Sequence, residues 1–100
     1  MVLYHATPYS NLISIVSEGI KLSSDGVVYA CEKPEECLRF AYVHGCYDVL
    51  VIKFKVDKRK VVETFDHSYE FFKCRCFGSK IPVTLDMIED YYRYDLTRKG

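Results

Sequence analysis

The sequence predicts an α+β domain, and three observations carry that prediction. The first half alternates short apolar runs with segments of helical period. The second half consists mainly of runs with the length and patterning of strands. No regular βαβα succession occurs, and neither G-x-G-x-x-G nor G-x-x-x-x-G-K is present, which argues against a doubly wound nucleotide fold. Residues 1–100 read as one domain. A chain of this length buries roughly 60–65% of its unfolded surface, enough for one core.

Residues 2–5 read as a first strand, stopped at Thr7-Pro8 because proline lacks a ladder donor. Tyr9 to Glu18 carries Leu12, Ile13, Ile15 and Val16 close to helical period. Thr7 or Ser10 suits its start and Gly19 its end. Ser23-Ser24-Asp25-Gly26 is a turn, and Val27 to Cys31 a second strand. Lys33-Pro34-Glu35-Glu36 opens a second helix, with proline in the first turn and acids at the positive dipole end. Cys37, Leu38, Phe40 and Ala41 give that helix an apolar stripe, and Gly45 ends it.

Asp48 to Val56 is the clearest strand, buried at its start and exposed at its end. Val61-Val62 is extended, as a short strand or a linker, and residues 65–69 are irregular. Phe71 to Phe77 alternates as a half-buried strand, and Gly78-Ser79-Lys80 turns. Leu85 to Tyr94 fits either period and is read as a strand. Thr97 to Gly100 is a frayed tail.

Composition narrows the function classes. Fourteen basic and fourteen acidic residues cancel, so no overall charge calls for a nucleic acid or an anionic membrane. The local cluster Lys53, Lys55, Lys58, Arg59 and Lys60 reads as a strand face running into a solvated turn. Five cysteines, an odd number behind no secretory signal, predict free thiols and a cytoplasmic location. Cys31 and Cys37 lack the short spacing of a zinc knuckle, so no metal is expected and buried thiols act as small hydrophobes. No apolar run approaches the ~18 residues of a membrane span, and no membrane partner is expected.

Two residues stand out against this background. His5 is polar within the first core strand, and Tyr29 carries a ring within the second. Two rings on neighbouring strands can clamp a flat heterocycle.

The run Leu3-Tyr4-His5-Ala6-Thr7, a helix ending Glu18-Gly19-Ile20, then Val28-Tyr29-Ala30 and a helix from Lys33-Pro34-Glu35-Glu36 resembles the ADP-ribosyltransferases and their relatives, the RNA 2′-phosphotransferases. Ile81-Pro82 with Ile88 adds to the likeness, which runs in order along nearly the whole chain; its specific parts are the first strand and Tyr29. The resemblance implies split antiparallel β-sheets with two N-terminal helices, and NAD as substrate. It implies that His5 hydrogen-bonds the ribose or amide edge of NAD and that Tyr29 stacks on the nicotinamide ring. The Ala6 backbone pairs with the carboxamide, and Thr7 completes the binding strand. A third position, an acid before a late strand, stabilises the charge that develops as nicotinamide leaves. Glu70 is the first choice there, His67 of the Asp66-His67-Ser68 run the second, and Glu63 the weaker third. Arg39 fits either an exposed helix face or a pyrophosphate contact.

Two functions follow from this reading. One is an enzyme that cleaves the nicotinamide glycosidic bond, with the acceptor open among protein, RNA, DNA and small molecules. The other is a non-catalytic module that binds NAD, ADP-ribose or a partner.

Overall fold

The computed structural model describes residues 1–64 and 76–97. In chain order the elements are β1 (Val2–Pro8), α1 (Leu12–Glu18), β2 (Val28–Cys31), α2 (Pro34–Val43), β3 (Asp48–Lys55), β4 (Val61–Thr64), β5 (Cys76–Ser79) and β6 (Ile88–Asp95). One-turn 3-10 segments at Tyr9–Asn11, Lys58–Lys60 and Leu85–Met87 join them. The six strands are antiparallel neighbours in one sheet, ordered β4-β5-β2-β1-β3-β6.

β3 organises this arrangement. Val49, Leu50, Val51, Ile52 and Phe54 are all essentially inaccessible, so both faces of the strand are covered. Alternation sends Leu50, Ile52 and Phe54 to one face and Val49 and Val51 to the other. The first face packs with Ile15 of α1 and with Ile20 and Val83. The second packs under Ala41 of α2. The two helices therefore cover opposite faces of one sheet. The core on the α1 side unites Val28, Ala30 and Phe77 of β2 and β5 with Leu3, Leu50, Ile52 and Phe54 of β1 and β3. The two halves of the sheet thus curl over a shared core.

β1 and β3 pair along seven residues, from Val2↔Lys55 to Pro8↔Val49. β1 and β2, in contrast, are registered at the single pair Tyr4↔Cys31. The expectation of two separate sheets is corrected accordingly: the sheet is continuous, but its halves meet at one pair. β1 pairs with β3 along its whole length and β2 with β5 along all four of its residues, so each half of the sheet is internally regular while the seam between them is a single pair.

Other boundaries also move. β1 continues to Pro8 because its ladder with β3 persists and proline falls at the last position, where a missing donor matters least. α1 begins at Leu12, and neither Thr7 nor Ser10 caps it; instead the Asn11 side-chain amide donates to Thr7 Oγ1 at 2.8 Å. Gly78 and Ser79 lie within β5, where buried Ser79 donates its hydroxyl to the Ile81 carbonyl at 2.7 Å. The segment 61–64 is a strand paired with β5, and the ambiguous stretch near the C-terminus is strand β6 after one 3-10 turn. Arg93 of β6 forms a two-pronged pair with Asp48, both contacts at 3.0 Å, and lies 3.9 Å over the Tyr9 ring. Residues 65–75, including most of the predicted Phe71–Phe77 strand, and residues 98–100 of the predicted tail lie outside the described residues.

Gly19 closes α1 with φ at 78°, its N–H donating to the Ile15 carbonyl at 2.8 Å. The next residue, Ile20, exchanges two backbone hydrogen bonds with Val83, at 2.8 and 2.9 Å. A Cβ on Gly19 would run into the Val83 carbonyl, whereas one on Gly45, at a similar φ of 79°, meets open space. Gly45→Ala is expected to cost about 1 kcal/mol, the backbone penalty alone. Gly19→Ala adds overlap with main chain, for a total of roughly 2–4 kcal/mol. Urea unfolding of the two variants checks the ranking.

Candidate functional site

A cleft of about 500 Å³ opens where β1 and β2 part. Its size falls within the usual range for small-molecule sites, roughly 300–1,000 Å³. β1 contributes His5 and Ala6, β2 contributes Tyr29, and α2 contributes Cys37 and Phe40. The turn before β2 adds Asp25.

His5 bridges the parting strands. Its Nδ1 lies 2.6 Å from the Tyr29 carbonyl oxygen. A carbonyl only accepts, so Nδ1 carries the proton and Nε2 keeps its lone pair in the neutral ring. Burial pushes the His5 pKa down, partly opposed by the bond to Tyr29. The imidazole is therefore neutral at pH 7, a donor on one side and an acceptor on the other. In effect a side chain on β1 satisfies a carbonyl of β2 beyond their one backbone pair.

Tyr29 remains 37% exposed at the cleft. Its hydroxyl donates to Asp25 Oδ2 at 2.6 Å. Asp25 is held by its turn: Gly26 N–H donates to the Ser23 carbonyl at 2.9 Å, Ser23 N–H to the Val27 carbonyl at 2.9 Å, and Asp25 N–H to Ser23 Oγ at 3.3 Å. Asp25 is a cleft residue that sequence reasoning missed. Ser-Ser-Asp-Gly signals a turn, and nothing in that pattern tells which way the aspartate faces.

Three thiols form the apolar back of the cleft. Cys31, Cys37 and Cys76 are buried in contact, and Cys37 Sγ donates to the Tyr4 carbonyl at 2.9 Å. The Cys31 pKa is pushed far up by its hydrogen bond to Cys37, by burial and by the charge of Glu36. Cys31 thus stays protonated, and the three sulfurs pack together as small polarisable side chains. No disulfide links the described cysteines, and no metal-holding group of His, Cys, Asp or Glu occurs among the described residues.

The remaining sequence-derived candidates separate. Thr7 lies in a second, polar recess of about 290 Å³ with Asn11, Ser14 and Lys21, and His5 borders both recesses. Glu63 is exposed on β4, opposite Phe77, and does not line the cleft. Arg39 is exposed on α2 and does not line the cleft either. Asp66, His67 and Glu70 lie outside the described residues. In the basic cluster, Lys53 faces Glu89 at 3.8 Å and Arg59 pairs with Asp57 at 2.8 Å.

The fold and site thus define an α+β domain with a ligand-sized cleft at the seam of its sheet. No protein-family model matches the chain, and no curated protein matches it. No described helix is long and apolar enough to cross a membrane.

The depressed pKa of His5 has a consequence for stability. Below pH about 6.5 an unfolded histidine takes up a proton that the folded His5 refuses until lower pH, so stability falls as the solution is acidified through that value. His5→Asn places an amide donor near the position of Nδ1 and removes the titration. Its unfolding free energy is expected to vary less than that of the wild type between pH 7 and 5. Urea titrations across this range check the prediction; parallel curves for the two proteins would contradict it.

Proposed function

We propose that this chain is an ADP-ribosyltransferase-like domain that takes NAD as substrate and cleaves its nicotinamide glycosidic bond. One observation carries the reading. His5, Ala6 and Tyr29, the residues that the sequence resemblance singles out, line one cleft at the point where the sheet opens.

The chemistry asks little of a proton carrier. Nicotinamide departs with the bonding electron pair, and positive charge develops on the ribose. Catalysis then depends on holding the ring and on placing negative charge beside the sugar before bond cleavage begins. Tyr29 supplies a flat apolar surface for the ring. The neutral His5 supplies Nε2 as an acceptor for a ribose hydroxyl, because its other nitrogen is committed to the Tyr29 carbonyl. The polar recess with Thr7 and Lys21, bordered by the same His5, suits the phosphate-bearing remainder of the nucleotide. The third position falls to Glu70, with His67 second. Their segment leaves β4 at Thr64 and returns at Cys76, and those two residues are paired in register. Cys76 itself lines the cleft.

Incubation with NAD is expected to release free nicotinamide, and NAD or ADP-ribose to raise the melting temperature. Stabilisation without release under any acceptor condition would make the domain a binding module, and neither effect would remove the nucleotide reading. Tyr29→Ala is expected to weaken nucleotide binding roughly tenfold, about 1.4 kcal/mol, with the fold intact by circular dichroism. Glu70→Gln is expected to abolish nicotinamide release at near-unchanged affinity. Retained release in that variant would pass the role to His67.

A further inference from the structure

We propose that Cys31 and Cys76 are an oxidation site: a peroxide converts this cross-strand pair of thiols into a disulfide in the back wall of the cleft. The proposal goes beyond the NAD reading and does not need it, because the oxidation involves no nucleotide.

The register of the sheet carries it. Cys31 of β2 and Cys76 of β5 are direct partners in an antiparallel ladder. Opposed residues point to the same face, and their Cα atoms lie roughly 4.5–5.5 Å apart. Disulfides join Cα atoms roughly 4.4–6.8 Å apart, so this bridge asks for none of the backbone movement that a longer span would demand. The two side chains are already in contact, and the Cys31 thiol hydrogen-bonds Cys76 as well as Cys37. No sulfur–sulfur bond holds either residue. Both are buried but line the cleft, which gives a small oxidant a way in. Cys37 completes the trio from α2, but its thiol donates to the Tyr4 carbonyl at 2.9 Å.

The chemistry balances with a peroxide as the one co-reactant. Cys31 is held protonated, so Cys76 reacts first. Cys76 gives up its proton and attacks one peroxide oxygen; the O–O bond breaks, and the departing hydroxide leaves with that proton as water. The product is a sulfenic acid on Cys76. The Cys31 sulfur, already in contact, then attacks the sulfenic sulfur. The S–S bond forms as the S–O bond breaks, and the Cys31 proton leaves with the hydroxyl as a second water. Two thiols are oxidised and one peroxide is reduced. Contact between the sulfurs makes the second step intramolecular, which favours the disulfide over further oxidation of Cys76. The bridge ties β2 to β5 at the end of their ladder beside the seam, where Cys31 also faces Tyr4.

The test uses the full chain with Cys46→Ser and Cys74→Ser, which leaves Cys31, Cys37 and Cys76 as its cysteines. The folded protein is treated with hydrogen peroxide, quenched in acid, alkylated in denaturant and read by intact mass and peptide mapping. The expected product is a monomer alkylated at Cys37 alone, with the Cys31 and Cys76 peptides crosslinked, and dithiothreitol is expected to reverse the link. Adding Cys31→Ala is expected to leave Cys76 as sulfenic or sulfinic acid with no crosslink. All three thiols still open to alkylation after peroxide, a crosslink through Cys37, or sulfinic acid in place of the crosslink would each overturn the proposal. Mapping the parent protein is enough to decide among these outcomes, and the wild-type chain mapped in the same way decides them should a serine variant fail to fold.

Discussion

The hydrogen bond from His5 to the Tyr29 carbonyl is the contact on which the site depends. A β-sheet stays closed because each strand satisfies the backbone groups of its neighbour. Here β1 and β2 share the pair Tyr4↔Cys31, and beyond it the imidazole takes over the accepting carbonyl of Tyr29. A side chain reaches further than a main-chain amide, so the strands can stand apart and still be joined. The space gained by that separation is the cleft. One residue therefore closes the sheet, opens the cavity and presents an acceptor beside it.

That arrangement survives because the surrounding core is rigid on both sides. β3 is buried on both faces and holds β1 in register over seven pairs, so the position of His5 is fixed by Leu3 and by the β3 ladder rather than by the ligand. On the far side, β2 is held by β5 through four pairs, Val28↔Ser79 to Cys31↔Cys76. The thiol cluster then fills the corner where α2 crosses the seam, and Cys37 bonds the Tyr4 carbonyl at the single point of closure. Small soft side chains suit that corner. Bulkier groups would fill the cleft, and charged ones would be stranded without water.

The parts of this structure legible in the sequence are those with a period. β3 announced itself by an unbroken apolar run, and α2 by its proline, its first-turn acids and its stripe through Cys37 and Ala41. His5 and Tyr29 were visible as misfits, a polar group and a ring in strands that otherwise read as core. Their sharing of one pocket could be proposed from two rings on successive strands, and the resemblance gave them roles, but strand order is a long-range property that local pattern does not encode. The seam itself was not legible, since the register between β1 and β2 is set by tertiary packing and not by the pattern of either strand. Gly78 and Ser79 read as a turn yet lie in β5: the glycine lets the strand pass close to Val27, since a Cβ there would sit 3.0 Å from that side chain, and the serine hydroxyl is consumed by the Ile81 carbonyl. Asp25 is the instructive omission. Its contact with Tyr29 spans four residues across a turn-to-strand junction, where neither helical nor strand periodicity applies.

The protonation state of His5 bears directly on the cavity it lines. A protonated imidazole would place a cation in the cleft and remove the acceptor that Nε2 offers there. Burial holds the imidazole neutral, and the bond to the Tyr29 carbonyl sets which nitrogen keeps the proton. The acceptor that His5 offers the cleft is thus a product of packing around β1. In this domain the closure of the sheet and the polarity of the site rest on one ring.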